Sequence, residues 1–518
     1  MVNIALTRQF TWPSFFTCYV ISLGQIAFGY PAAIIGSVLA MPSFLKYMKL
    51  TDSAGLVTAE GNQLIGAING VFQAGAVLGV ILNCWVMEKW GRRSSLIYCS
   101  VLGLFGGALI CGARNIAMFI VGRFFAGAGS WSFLAVTPIY TSEMSPPALR
   151  GLFSGMNGIH IALGYALASY MGLAFYFAKD PATQWRGCLG IGLLWPTLML
   201  VITYFIPESP RWLLMKGRVE EARSTVLTLH SYRADPEQEL ACQEFSQMKT
   251  QADLDKTLNP SWLEMVRRAS YRKRVLITAG FAIIGQSTAV LVINNYGPTL
   301  YKSLGFGTKD QLALQCGWLT VSIFGNFFGA VVLDYFGRRP LMLTGLAGCV
   351  IALSIEAAIV AEFFPPGTNK AASVGGVFAL YLFVVVYAVG VDVAGVTFYS
   401  EVFPNHIRAK GVGITIVALS LTDLAYLQAS ATAFANIGWK YFLLFIVITS
   451  IGFVIMCFVL PETKKISLEE MAKIFGDTEE SILMYAAEDV KHGPTLHALG
   501  QKKSESDERM AGEHVKEV

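Results

Sequence analysis

Twelve separate apolar runs, each long enough to cross a bilayer, occupy most of this chain, and no other feature restricts its fold as strongly. They fall at about 12–41, 64–87, 94–112, 116–140, 152–178 and 187–206, then at about 275–300, 312–333, 340–363, 373–399, 411–434 and 441–460. A helix of about 20 apolar residues spans a hydrocarbon core of about 30 Å. Inside lipid every backbone N–H and C=O needs an internal partner, and the runs lack the alternation of a barrel strand, so helices are the expected spans. The expected fold is an all-α membrane protein with twelve transmembrane helices in two six-helix halves. Composition points the same way, since 54% of the 518 residues are apolar and 14% charged, against about 25% charged in soluble chains.

Charge and cysteine content argue against several other classes. The formal charge of +4 is small for this length, and no basic stretch alternates with exposed aromatics as in a nucleic-acid groove. Nine cysteines, mostly inside apolar runs (Cys84, Cys99, Cys111, Cys316, Cys349, Cys457), show no metal spacing and read as small core residues. No Ser/His/Asp, Cys/His or metal constellation falls on facing helices, so an enzyme is not expected and no cofactor is implied. The run from Trp12 to Met41 is too long for a signal-peptide core and reads as the first span.

Basic residues orient the bundle. The interval from Pro207 to Lys273 holds Arg211, Lys216, Arg218, Arg223, Arg233, Lys249, Lys256, Arg267, Arg268, Arg272 and Lys273. The even-numbered turns add Lys89, Arg92, Arg93, Arg150, Arg338, Arg339, Arg408 and Lys410, whereas the odd-numbered turns are poorer in Lys and Arg. The positive-inside rule then places both termini and the central linker in the cytoplasm. The expected divisions are a cytoplasmic N-terminus at 1–11, an N-terminal half at 12–206, a helical linker at 207–272, a C-terminal half at 273–460 and a cytoplasmic tail at 461–518, disordered after Met471.

Three motifs occur once in each half, in the same order. Glu88-Lys89-Trp90-Gly91-Arg92-Arg93 answers to Asp334-Tyr335-Phe336-Gly337-Arg338-Arg339, and Glu143 with Arg150 answers to Glu401 with Arg408. Pro207-Glu208-Ser209-Pro210-Arg211 answers to Pro461-Glu462-Thr463-Lys464. Charges just inside helix ends can cap neighbouring helices and pair across the seam between halves, which would make a gate. Single motifs of this kind are commonly plain snorkelling anchors, but three matched pairs favour the gate.

These motifs, with Gly122-Arg123, Pro138-x-Tyr140-x-x-Glu143, Arg150-Gly151, Trp212-Leu213, Glu401-Val402-Phe403-Pro404, Arg408-Ala409-Lys410-Gly411 and Ser467-Leu468-Glu469-Glu470-Met471, resemble the sugar porter family of the major facilitator superfamily over residues 20 to 475. Asn436-Ile437-Gly438-Trp439-Lys440 and Ile474-Phe475-Gly476-Asp477 are similar to its fungal branch. The resemblance implies an alternating-access carrier of a small hydroxylated solute, read near the bilayer midplane by amides and aromatics.

Several such positions are altered. The family Asn-Gln of the fifth helix is Asn157-Gly158, the paired glutamines of the seventh are Gly285-Gln286, the following asparagine is Leu291, and the tyrosine pair is Asn295-Tyr296. The Gly-Pro-x-x-Trp stretch of the tenth helix reads Asp392-Val393-Ala394-Gly395-Val396. Gln286, Asn157, Asn294, Asn295 and Tyr296 remain as candidate hydroxyl binders, each amide equally suited to a helix–helix bond. His160, near Asn157, is either a ligand or an interhelical donor.

In proton-coupled members of the family, Gly-Tyr-Asp on the first helix pairs with the arginine of the fourth. Here the stretch is Gly29-Tyr30-Pro31, which leaves Arg123 without that acid. Asp392, Asp423 and Glu356 are the intramembrane acids that could replace it or carry the proton. Alternatively the chain is an uncoupled facilitator with Arg123 satisfied by Glu208, Glu143 or a backbone carbonyl, or Arg123 binds an anionic cargo. The expected function is transport of a sugar or polyol by a monomer in the plasma membrane; a carrier of another metabolite or organic acid, or a sugar sensor without transport, are the alternatives.

Overall fold

The computed structural model of the protein describes residues 10–146, 149–231, 238–258, 261–363, 369–464 and 474–476. Expectations for the first nine residues and for the tail beyond 476 therefore lie outside the described residues. Twelve helices are long and apolar enough to cross a membrane. In the first half they are α1 Trp12–Leu39, α2 Ala59–Trp90, α3 Arg92–Cys111, α4 Ile116–Met144, α5 Gly155–Tyr176 and α6 Pro181–Ile202. In the second they are α7 Ala269–Ser303, α8 Thr308–Leu333, α9 Arg338–Phe363, α10 Lys370–Tyr399, α11 Ile407–Ile437 and α12 Lys440–Val459. Several run past the apolar core by a turn, as α2 does at both ends and α7 at its basic start, because the headgroup layer accepts polar and charged ends.

Small residues set the close crossings. Glycines let the α2 and α4 backbones touch: a Cβ at Gly127 would collide with the Phe72 carbonyl, and one at Gly75 with the Phe124 carbonyl.

The leading helix of each half is interrupted. α1 changes direction at Leu23, between Trp12–Ser22 and Gly24–Leu39. α7 breaks between Ala269–Gln286 and Val290–Ser303, with Ala289 in the left-handed region at φ 71°. Hydroxyls add bonds at the break: Ser287 donates to Ile283 O at 2.8 Å, Thr288 to Gly285 O at 2.7 Å, and Thr449 of α12 to Ser287 O at 2.9 Å. α10 carries one wide π-helical turn, Ala388–Asp392, which ends on an acid. Interruptions of this kind expose polar backbone where a carrier holds its cargo.

The linker helices Pro210–Met215, Val219–Leu229 and Glu239–Leu258 share a small core of Leu213, Leu214, Ala222, Val226, Met248 and Ala252. Thr11 and Ser14 hydroxyls donate to Leu229 O at 2.6 and 2.8 Å, which ties the linker to the start of α1. The linker lies on the same face as the repeated motifs, here termed the motif face.

Candidate functional site

The motif face holds two copies of one polar lattice. Gly91, at φ 96°, turns the chain from α2 into α3 and brings the first amides of α3 onto Glu208, whose carboxylate accepts from Arg92 N at 2.9 Å and Arg93 N at 3.2 Å. Gly337, at φ 93°, does the same for α9, where Glu462 accepts from Arg338 N at 3.0 Å and Arg339 N at 3.1 Å. An acid at a helix N-terminus meets both free N–H groups and the positive end of the dipole. Arg92 then pairs with Glu143 at 2.6 Å, and Arg338 with Glu401 through two hydrogen bonds of 2.8 and 3.1 Å. Ser209 donates to Glu143 at 2.5 Å where Thr463 donates to Glu401 at 2.9 Å. Arg93 and Arg339 cap the ends of α6 and α12, through Thr203 O at 3.2 Å and Cys457 O at 2.6 Å.

This corrects one expectation. These ion pairs join helices within each half rather than across the seam, because the ends of α2, α3, α4 and α6 converge on one another, as do those of α8, α9, α10 and α12. Among the described residues a cross-seam pair on this face is Lys410 of α11 with Glu88 of α2, at 3.5 Å. Arg408 donates to Phe403 O of its own turn at 3.3 Å. Arg211 forms no hydrogen bond or ion pair among the described residues, and the side chains of Arg150 and Asp334 lie outside them.

At the opposite face the halves are in contact. A Cβ at Gly36 of α1 would lie 3.0 Å from the Asn294 and Asn295 carbonyls of α7. The Tyr296 hydroxyl accepts from Asn69 of α2 at 2.9 Å and donates to Leu427 O of α11 at 3.2 Å. Tyr170 of α5 bonds Thr320 of α8 at 2.7 Å. Nearer the motif face α2 and α11 also touch, since a Cβ at Gly413 would lie 2.7 Å from Cys84 Sγ, whereas a Cβ at Gly155 or Gly158 of α5 would meet nothing within 4 Å.

Buried amides lie on α1, α2, α5 and α7. The side-chain oxygens of Gln286, Asn294 and Asn295 on α7 have no hydrogen-bond partner, and neither do those of Gln25 on α1 and Asn69 and Gln73 on α2. Each such acceptor costs about 1–3 kcal/mol if left dry. Asn157 is buried on α5. His160, 5% exposed, sits inside the first half instead, its Nδ1 3.2 Å from Ser22 Oγ and 2.8 Å from Met156 O, with its ring edge-on to Tyr19 of α1.

The acids divide into two places. Asp392, half-buried at the end of the π-turn, accepts a hydrogen bond from Asn326 of α8. Asp423 of α11 is buried, with Oδ2 unbonded. Both lie within electrostatic reach of Tyr165, which α5 contributes from the other half. Glu356 is buried inside the second half, beside Tyr301 and 3.2 Å from a Cβ built at Gly376 of α10.

None of the three reaches Arg123. The guanidinium donates to Pro31 O at 3.0 Å and Ile68 O at 3.3 Å and stacks 3.9 Å over Phe72, while Glu143 and Glu208 are engaged in the motif lattice. Of the expected partners for Arg123, the structure places the backbone carbonyl there and no carboxylate.

Gln25, Asn69, Gln73, Tyr165 and Asn326 were not among the candidates read from sequence. Asn69 and Gln73 stand four apart on α2, one turn up the same face of an otherwise apolar helix, and that spacing was the available signal.

Two repeated halves of membrane-spanning helices, each braced internally at the motif face, have the build of a multi-pass membrane carrier. Residues 17–475 match the family model described as sugar (and other) transporter, and the chain belongs to that family. Probable polyol transporter 6 of Arabidopsis thaliana is 30% identical over 480 residues, covering 88% of this chain and 93% of that protein. The MFS-type transporter criB of Aspergillus cristatus is 28% identical over 467 residues, covering 88% and 94%. A high-affinity glucose transporter of Kluyveromyces lactis is 26% identical over 489 residues, covering 90% and 86%. Among solved structures, the proton:xylose symporter XylE bound to 6-bromo-6-deoxy-D-glucose shares the major facilitator fold with a TM-score of 0.74 at 22% identity, covering 89% of this chain and 99% of that one.

Proposed function

We propose that the protein carries a neutral, hydroxylated small molecule, a sugar or polyol, across the plasma membrane by alternating access, coupled to protons through Asp392 and Asp423. The observation that carries this reading is the group of unpaired amide oxygens on α1, α2 and α7. Sugar hydroxyls are donors that would satisfy these acceptors, and neutral amides recognise them without burying a charge. The glucose and polyol carriers among its relatives support the same cargo class. In this reading the motif face is cytoplasmic, as the positive-inside rule requires.

Transport then needs no chemistry on the solute. Solute enters from one side, its hydroxyls bond the amides of α2 and α7, and the Asn69–Tyr296–Leu427 links and the Glu88–Lys410 pair exchange as the halves rock. Asp392 and Asp423, at the seam facing Tyr165, are placed to gain a proton from one side and release it to the other. A monomer holds all of these parts.

The test is labelled uptake in cells lacking their own carriers, over hexoses, polyols and organic acids at two external pH values. Saturable uptake of a neutral polyhydroxy compound, faster at acid pH, is expected. Uptake confined to organic acids would overturn the cargo class, and uptake indifferent to pH would overturn the coupling.

A further inference from the structure

Arg123 is only 2% exposed, deep in the first half, and the partners that hold it are backbone carbonyls and a ring, none with a formal charge. A cation at membrane depth needs a counter-charge. A cavity of about 40 Å³ lies between α1, α3, α4 and α6, with Tyr30, Pro31, Arg123 and Ser130 in a wall that is otherwise mostly apolar. One water needs roughly 10–15 Å³ on the same measure, so the space exceeds a single water. Ser130 is buried, and its hydroxyl bonds no other group among the described residues. The Tyr30 hydroxyl points away, donating to Cys188 O at 2.6 Å. Pro31 has no N–H to give the Ala27 carbonyl one turn back, and Ala27 also lines the space.

We propose that this cavity binds a small inorganic anion of halide size as the counter-charge of Arg123. Arg123 and Ser130 are its donors, and a neighbouring water bridges the anion to the Ala27 carbonyl. The volume is too small for a sugar acid or a phosphate ester. The site is structural and sits inside one half, so it is independent of which solute crosses the seam. It also explains how the chain tolerates proline where relatives of the resembled family place an acid: the negative charge is borrowed from solution.

The test follows the melting of the full-length purified protein while chloride is exchanged for gluconate at constant ionic strength. A saturable rise of several degrees with chloride is expected, since a ligand of the native state alone stabilises it by mass action. Bromide should substitute and give an anomalous-scattering peak beside Arg123. Ser130→Ala should raise the half-saturating chloride concentration several-fold, and Pro31→Asp, which supplies its own carboxylate, should melt at one temperature whatever the salt. Identical wild-type melting in chloride, bromide and gluconate would overturn the proposal and leave the cavity to water. A Pro31→Asp protein that kept the full chloride response would place the ion elsewhere. If that variant fails to fold, the wild-type titration and the Ser130→Ala shift decide alone.

Discussion

The two halves are nearly superimposable in their chemistry at the motif face and opposite in sign within. At the face, Glu208, Arg92, Glu143 and Ser209 are repeated as Glu462, Arg338, Glu401 and Thr463, in the same pairing. In the interior the first half buries Arg123 and the second buries Glu356 and Asp423 and half-buries Asp392, none of them in an ion pair among the described residues. A repeat is kept where geometry must be the same in both halves, namely where helix ends are capped and braced. It diverges where the halves do different work, and the acids at the seam place the proposed proton work in the second half.

The sharpest break of this comparison is Asp392→Asn. Accumulation of solute above equilibrium should be lost altogether, while exchange of labelled for unlabelled solute across the same membrane persists. Loss of exchange together with accumulation would make Asp392 a structural or solute-binding group instead. Glu356→Gln, away from the seam, should leave accumulation standing.

Next come the matched braces. Arg92–Glu143 is the more buried pair, with side chains 13% and 11% exposed against 11% and 30% for Arg338–Glu401. Glu143→Gln should therefore destabilise more than Glu401→Gln, by about 1–3 kcal/mol against about 1 kcal/mol, as read by denaturation in detergent. Equal losses would mean that burial does not set the strength of these pairs.

Gly91→Ala and Gly337→Ala should cost nearly the same, about 1–2 kcal/mol each, because both glycines have positive φ and in both a Cβ would press on the capping carboxylate. A large difference between them would show that the two lattices are not mechanically alike. The smallest effect belongs to Glu88→Gln: the pair with Lys410 is 3.5 Å long and Glu88 is 41% exposed, so its loss should change stability by about 0–1 kcal/mol. Its signature should be a salt-sensitive shift in the balance of the two facing states, measured by the reaction of Cys84, which meets α11 across the seam, with a thiol reagent.

Much of the architecture was legible in the sequence because lipid leaves few choices. Apolar length reveals helices, and capping chemistry reveals their ends, so the residues of the motif lattice are legible in the sequence. Its pairing could not, because which carboxylate meets which arginine depends on how helix ends converge, and Arg92 with Glu143 turned out to be a brace inside one half. Polar groups within spans were harder still. His160 and Gln286 look alike along the sequence, yet one bonds Ser22 inside its own half and the other is an unpaired amide of the broken seventh helix. Gln25, Asn69 and Gln73 were passed over because the family comparison directs attention to α5, α7 and α10, whereas here unpaired amides also come from α1 and α2.

The most direct measurement is uptake of labelled hexoses and polyols into liposomes containing only the purified protein, with Gln73→Leu and Asn295→Leu measured beside the wild type. Saturable uptake of a neutral polyhydroxy solute, with its half-saturating concentration raised at least ten-fold by either substitution, is the expected result. Wild-type affinity in both variants, or transport of organic acids in place of any neutral solute, would contradict a carrier that reads hydroxyls with the amides of α2 and α7.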